Sequence, residues 1–489
     1  MNSPLSKSRT SYEWAEIFLG AAVALGAAAG LAKVVMQLTP PFQMDYGEGH
    51  LIALATRVAR GASAYPDPSQ PPYVMNPYGP VGVWLVAACL KFFGVAFTLP
   101  RVLVMICGLW CAVIILLLVR QWGRNAPVAI LSGLLYLSRP VVQDWLPRLR
   151  VDLIGLAFAL TGLYLFARSR RWYLSIPFFV AAVLCKMTLV AGPAACLIYT
   201  VLRGEGKRAI RFGVSFVALG MVIFLWAQHV SHGWFAFHTL WLNASQPFSW
   251  QSTFWYLRTE MGRSYWLIAV AIAVVYYARS HTVVWLPLLF LVVATLSLLT
   301  VGKLGGNFNY FVEWEAALCL CAGMGYAHLR EQMRSRHVSF AILPAALAIL
   351  AFSGVHLRHV KPNLKSNFSE CREVYGLVNT YPAGPILSEN VGALILAGKQ
   401  PIVLDPFIWT RGVLNWGVPD SEVVQLLRSR RIALIILGSD VSSPKKDSEN
   451  PRWPPAVLSA IEENYRPTNR FNCMDARFTY QPQVSQPAP

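Results

Sequence analysis

WAEIFLGAAVALGAAAGLAKVVMQLTPPFQMDYGEGH, residues 14–50, decides the fold. Its first part, about Trp14 to Leu38, is an apolar run long enough to cross a hydrocarbon core, which takes roughly 20 helical residues. The run is too long for the core of a signal peptide, and no small-residue cleavage site clearly follows it, so it reads as a retained helix. Its second part, Met44-Asp45-Tyr46-Gly47-Glu48-Gly49-His50, puts two carboxylates just past the end of that helix. A carboxylate pair at a water–lipid boundary, ahead of more apolar runs, points to chemistry at that boundary on a lipid-borne substrate.

The rest of the chain extends this pattern. Of 489 residues, 55% are hydrophobic and 13% charged, where soluble chains carry about 25% charged residues. Apolar runs of about 16–24 residues recur up to residue 354. The expected spans are 14–38, 101–119, 126–143, 152–167, 172–185, 187–202, 210–230, 264–278, 283–301, 312–329 and 338–354. The net charge of +18 raises the question of nucleic acid, but residues 1–354 hold 27 of the 42 Lys and Arg, mostly in short loops between apolar runs. With the N-terminus inside, the inner loops carry Arg120 and Arg124, Arg168 to Arg171, Arg203 to Arg211, Arg279 and Arg330 to Arg336. That is the positive-inside pattern, so the charge sets orientation and no nucleic acid partner is expected.

Residues 79–98 are apolar enough to span, but a span there would turn three successive basic loops outward. They are therefore expected to form a helix in the outer interface. The first outer loop then runs from 39 to 100. It holds Asp45 and Glu48, an amphipathic helix around Leu51 to Arg60, and a Pro-rich bend from Tyr65-Pro66 to Asn76-Pro77-Tyr78-Gly79-Pro80. After about Ser353 the composition changes to alternating short β and helical runs, including Pro385 to Ser388, Val391 to Gly398, Pro401 to Asp405, Asp420 to Arg431, Ile432 to Leu437 and Pro454 to Tyr465.

The expected fold class is an all-α polytopic membrane bundle of about 11 transmembrane helices, with interfacial helices in the first outer loop and a small C-terminal extracytoplasmic α/β domain. The transmembrane part is 1–354, the α/β domain 355–480, and 481–489 a disordered tail. Seven cysteines lie in or beside apolar runs and read as packing residues. Cys371 and Cys473 fall in the C-terminal region. An oxidising compartment would let them pair, which sequence alone does not show.

Ionisable groups beside membrane spans are costly and each needs a reason. Asp45 reads either as a solvated loop carboxylate or as a base that takes the proton of an acceptor hydroxyl. Glu48, one helical turn on, is placed to tune Asp45, hold the acceptor or bind a metal. A divalent metal is the one cofactor this leaves room for; none is otherwise indicated, and no His/Cys cluster suggests a metal site. Arg150, Lys186 and Lys303 sit where outer loops meet spans. They either snorkel to headgroups or clamp a lipid-linked phosphate. Asp152 either pairs with Arg150 or orients substrate. Asn307, Asn309 and Glu313 open a span behind Gly305-Gly306, where backbone is able to approach a sugar or phosphate closely. His229, His232 and His238 lack ligand-like spacing and read as interfacial packing.

As a set, these residues resemble the GT-C superfamily of membrane glycosyltransferases. The nearest types are the family 39 protein O-mannosyltransferases and bacterial lipid A aminoarabinose transferases. The marks are the acidic motif after the first span (Asp45, Glu48), the Tyr-Pro-rich first loop with Tyr78, Arg150-Val-Asp152, Lys186-Met-Thr188 and Asn307-Phe-Asn-Tyr-Phe-Val-Glu313, across about residues 10–330. The resemblance implies transfer of a sugar from a polyprenyl-phosphate donor to an acceptor hydroxyl, with inversion, at the outer face of the cell's inner membrane. It implies Asp45 at the matching catalytic position. The reading of the residues themselves adds Glu48 beside it, Arg150, Lys186 and Lys303 on the donor phosphate, and Tyr78, Asp152, Asn307, Asn309 and Glu313 on substrate. Membrane lipid is the other implied partner; the acceptor glycan, lipid or protein is left open. Two departures stand out: two residues separate Asp45 from Glu48 where many relatives have adjacent Asp-Glu, and Asn76 stands where aminoarabinose-type relatives carry Lys. A transporter or flippase for a lipid-linked sugar is the alternative, since it would use the same cations and aromatics without a base.

Overall fold

The computed structural model describes residues 4–168, 171–278, 284–335, 368–381, 384–442 and 452–483. The expected span 338–354 and residues 484–489 of the expected tail lie outside them. The chain is mostly helical, with one small sheet.

Five stretches among the described residues are long and apolar enough to cross a membrane. They are Glu13–Leu38 of α1 (Pro4–Leu38), α4 (Thr98–Gly123), α7 (Val151–Arg168), α10 (Gly206–Val230) and Trp285–Gly302, which is α12 (Trp285–Ser297) plus a 3-10 turn. Two more, α11 (Trp250–Ala278) and α13 (Phe311–Ser335), match these in length but are more polar. Shorter apolar helices are α3 (Pro80–Phe93), α5 (Ala126–Ser138), Trp172–Cys185 with α8 (Ile176–Cys185), and α9 (Ala191–Leu202). On α10, Val214, Val217, Val222 and Leu225 are all exposed. An apolar face of that size suits lipid rather than water.

Two expected spans are divided. The run 126–143 stops at Ser138 because Arg139 precedes Pro140 and adopts extended backbone (φ −68°, ψ 131°), as residues before proline do. A short helix, α6 (Pro140–Trp145), follows. The buried Arg139 side chain then binds Glu315 on α13 at 2.8 Å and Ser264 on α11 at 2.5 Å. The run 187–202 begins four residues late, because Lys186 is extended and 186–190 form a turn between α8 and α9.

Helix lengths differ around these breaks. At 1.5 Å per residue, α7, Trp172–Cys185 and α9 rise about 18–27 Å, against about 37 Å for α10. They are therefore about 10–19 Å shorter than α10.

The first loop is more buried than an amphipathic reading implies. In α2 (Tyr46–Ala59), Gly47 to Thr56 are all buried, between α3 on one side and α15 (Val391–Leu396) on the other. The polar Arg57 and Arg60 occupy only its last turn and C-cap. The Pro-rich bend is fixed by hydrogen bonds: Tyr65 Oη donates to the Tyr78 carbonyl at 2.8 Å, and the Asn76 N–H donates to His238 Nδ1 at 3.2 Å. His238 Nε2 lies 2.8 Å from the Pro66 carbonyl, so this histidine fastens the bend to the segment before α11.

Towards the C-terminus, strands β1 (Ile386–Ser388), β2 (Leu434–Leu437), β3 (Tyr465–Cys473) and β4 (Ala476–Pro482) form a sheet in the order β1-β2-β4-β3. The β1–β2 pair is parallel and the other pairs are antiparallel. Helices α14 (Phe368–Thr380), α15, α16 (Pro406–Trp416), α17 (Ser421–Arg428) and α18 (Pro455–Asn464) surround it. A disulfide joins Cys371 on α14 to Cys473 on β3. The expected strand 401–405 is a single parallel bridge, Val403 to Tyr73, which ties this region to the Pro-rich bend. Gln481 and Pro482, expected in the tail, belong to β4.

Candidate active site

Asp45 caps the N-terminus of α2, accepting the Gly47 N–H at 3.1 Å. Its Oδ1 lies 3.2 Å from Arg150 Nε and its Oδ2 lies 3.6 Å from Arg148 Nη1. Both guanidinium groups lie over the Trp145 ring, at 4.9 Å for Arg148 and 5.6 Å for Arg150. The Arg150 Nε–H is not aligned on Asp45 and, though buried, has no hydrogen-bond acceptor. Arg150 Nη1 donates to the Tyr78 hydroxyl at 3.2 Å. Burial, reinforced by Asp152 and the other carboxylates against the pull of Arg150, pushes that phenol up to about 12, so it stays protonated.

Two residues along, Asp152 opens α7 and receives Lys186 Nζ and, at 2.9 Å, Asn309 Nδ2. The Lys186 ammonium also sits 4.0 Å from the centre of the Tyr310 ring. Glu313 lines the same small space, about 10 Å³, with Asp152, Lys186, Asn309 and Tyr310. The buried Glu313 Oε1 and Asn309 Oδ1 have no hydrogen-bond partner. Buried polar atoms normally find partners. Two that do not, on Asn309 and Glu313, line this one space.

Two expected site residues, Glu48 and Asn307, are engaged by protein partners of their own. Glu48 is fully buried and saturated: Arg101 donates to it twice, at 2.9 and 2.7 Å, and the Met44 and Leu149 N–H groups donate at 2.6 and 2.8 Å. Four donors therefore occupy its two oxygens and leave no room for a divalent ion. Instead it fixes 40–44, α2, α4 and the 146–150 turn to one another, because Arg101 also donates to the Pro40 and Phe42 carbonyls. The Lys303 backbone pairs with Phe248 in an isolated antiparallel bridge. Asn307 turns back on its own backbone, accepting the Phe308 N–H at 2.8 Å.

Sequence reasoning gave no role to several groups at the site. Tyr46 donates to Asp405 Oδ1 at 2.7 Å and accepts the Phe407 N–H. His50, 2% exposed, has Nδ1 3.4 Å from Asp405 Oδ2. Burial lowers the His50 pKa more than Asp405 raises it, so the ring is neutral. Arg148, Trp145 and Tyr310 complete the walls. Tyr46 and His50 stand in the motif that opened the reading, but Asp405, their partner, lies about 360 residues away and nothing local announces it.

The chain is similar to several known proteins. Residues 75–234 match the family of dolichyl-phosphate-mannose-protein mannosyltransferases, a stretch that contains Tyr78, Arg150, Asp152 and Lys186. The fold is similar to that of ArnT from Cupriavidus metallidurans, solved bound to undecaprenyl phosphate (TM-score 0.65, 14% identity, covering 96% of this chain and 99% of that one). The apo state of ArnT gives a TM-score of 0.63 at 13% identity, covering 95% and 98%. The oligosaccharyltransferase of Archaeoglobus fulgidus in its apo form is similar over 95% of this chain and 74% of that one (TM-score 0.56, 11% identity). No curated protein sequence matches. The chain thus has the membrane fold of GT-C glycosyltransferases, and the resemblance read from its motifs holds.

Proposed function

We propose that this chain is an inverting glycosyltransferase that moves a sugar from a polyprenyl-phosphate donor to an acceptor hydroxyl on the extracytoplasmic side of the inner membrane. The observation that carries this reading is the pairing of one carboxylate, Asp45, with a buried guanidinium, Arg150, whose Nε–H lacks an acceptor. Asp45 takes the acceptor proton as the acceptor oxygen bonds to the sugar's anomeric carbon. The bond from that carbon to the phosphate oxygen breaks, and the charge left on the phosphate falls to Arg150, with Arg148 and Lys186 nearby. Phosphate needs no proton to leave, so a base and cations suffice, and preorganised cations in a recess screened from water stabilise the developing charge. Tyr78, Asp152, Asn309 and Glu313 hold the sugar. Glu48 and Arg101 position Asp45 rather than act on substrate.

Three features support the membrane placement. Five helical stretches among the described residues are long and apolar enough to cross a membrane. The basic loops follow the positive-inside pattern with eleven spans. The Cys371–Cys473 disulfide suits an oxidising compartment. The decisive experiment is mass spectrometry of membrane glycans and lipids with the wild-type chain and with Asp45→Asn. One-sugar products present with the first and absent with the second support transfer. Lipid-linked sugar crossing the membrane equally well with both, and no product from either, favours the flippase reading.

A further inference from the structure

A second cavity, of about 220 Å³, with apolar walls that carry three cations, lies at the far end of α2, away from Asp45. Its walls come from three separate parts of the chain: the last turns of α2, the loop before Tyr73, and residues 395–404. Arg57, Arg60 and Lys399 line it, with the exposed Arg60 and Gln400 at its rim. None of the ion pairs among the described residues includes any of these three cations. Arg57 is held by one hydrogen bond from Nε to the Ser63 carbonyl at 2.8 Å, and Lys399 by one from Nζ to the Tyr381 carbonyl at 2.6 Å. Both therefore keep further N–H groups for a ligand.

A separate observation points the same way. Thr56 also lines the cavity, is 4% exposed, and has a buried hydroxyl with no hydrogen-bond partner. A helical threonine hydroxyl commonly bonds back to the carbonyl four residues earlier, as Thr161 does to Ala157. Thr56 does not. Three unpaired cations and one idle hydroxyl around a small cavity describe a receptor for an anion with several acceptor oxygens.

We propose that this cavity binds an anionic group, phosphate or carboxylate, carried by the acceptor. The word acceptor rests on the transferase reading above; the anion site does not. Pockets that enclose whole small molecules start at about 300 Å³, so this one takes a charged group and part of its sugar. It lies ten residues up α2 from Tyr46, about 15 Å at helical rise. An acceptor several groups long would place its charge here and its reacting hydroxyl at Asp45, and α2 would fix the distance between them.

The test uses the full chain in phosphatidylcholine nanodiscs. Lys399 is acylated with an amine reagent in rising inorganic pyrophosphate, and modification is read by mass spectrometry, with Lys91 as the internal control. Saturable protection of Lys399 and none of Lys91 is expected, with the half-point moved at least about tenfold higher in Arg57→Gln, the loss of one charge-assisted contact. In the transfer assay the same variant should raise the acceptor KM and leave kcat unchanged. No protection, or equal protection in Arg57→Gln, overturns the site. Protection by phosphatidylglycerol in the disc, with no pyrophosphate added, overturns the acceptor assignment in favour of a lipid headgroup. Asp45→Asn should protect Lys399 like the wild type, so failure of the transferase reading would leave this result standing.

Discussion

Gly47 lies directly under the Arg150 guanidinium: a Cβ at that position would stand 1.3 Å from Nη1. No side chain fits between position 47 of α2 and Arg150, so glycine stands there for the sake of the cation that meets Asp45. Gly47→Ala should push Arg150 off both Asp45 and Tyr78. Transfer is expected to fall by about 10²-fold, the scale on which small misplacements act. Expression and thermal midpoint should change little. A purified, folded G47A protein with wild-type turnover would refute this.

Asp45 and Arg150 should fail in different ways. Asp45→Asn removes the base and should lower kcat by about 10²–10⁴-fold while donor binding persists. Arg150→Gln should instead weaken binding of a polyprenyl phosphate. Titrating each variant with that lipid, alongside steady-state turnover, separates the two.

Glu48 should matter for folding rather than chemistry. Glu48→Gln leaves the Arg101 charge buried without its counter-ion, which costs about 3–5 kcal/mol. The double variant Glu48→Met with Arg101→Met should be more stable than either single change, because it removes both charges. Unfolding in detergent, followed by circular dichroism, measures all three. A single variant of normal stability that lacks turnover would return Glu48 to the catalytic set.

The Pro-rich bend should loosen in acid. Asn76 donates to His238 Nδ1, so His238 carries its proton on Nε2 and donates it to Pro66. Burial pushes the folded pKa down to about 4, against an ordinary 6.5. An undocked loop frees the ring to take a second proton below 6.5. Docking strength is therefore full above pH 6.5 and declines as pH falls towards 4. Hydrogen exchange across residues 65–78 should rise over that window in the wild type and stay flat in His238→Asn.

The Cys371–Cys473 disulfide closes a sequence separation of 102 residues. A loop of about 100 residues corresponds to roughly 4.7 kcal/mol in the chain-entropy account. Cys371→Ser should make residues 368–380 sensitive to protease. Alkylation of intact cells should find both thiols blocked; if both react freely, the C-terminal region does not face an oxidising compartment.

Asp45, Arg150, Asp152 and Lys186 were legible in the sequence for one reason: a charge beside an apolar run is expensive and stands out. In the expected topology the basic loops put all four on one side, and the structure places Asp45 against Arg150 and Asp152 against Lys186. What the sequence hid was pairing at a distance. Glu48 sits three residues from Asp45, and only its partner Arg101, 53 positions away, makes it an anchor. The polar end of α2 suggested a half-exposed helix because the elements that cover its middle, α3 and α15, are remote in sequence.

The bond from Tyr46 to Asp405 has a wider consequence. Residues that open the first helical turn beside the base are braced by a segment past residue 400, so the two ends of the chain cannot be exchanged independently. A chimera that swaps in a relative's last third should misplace α2 unless it also brings that relative's counterparts of Tyr46 and His50, and the exchangeable unit is the pair.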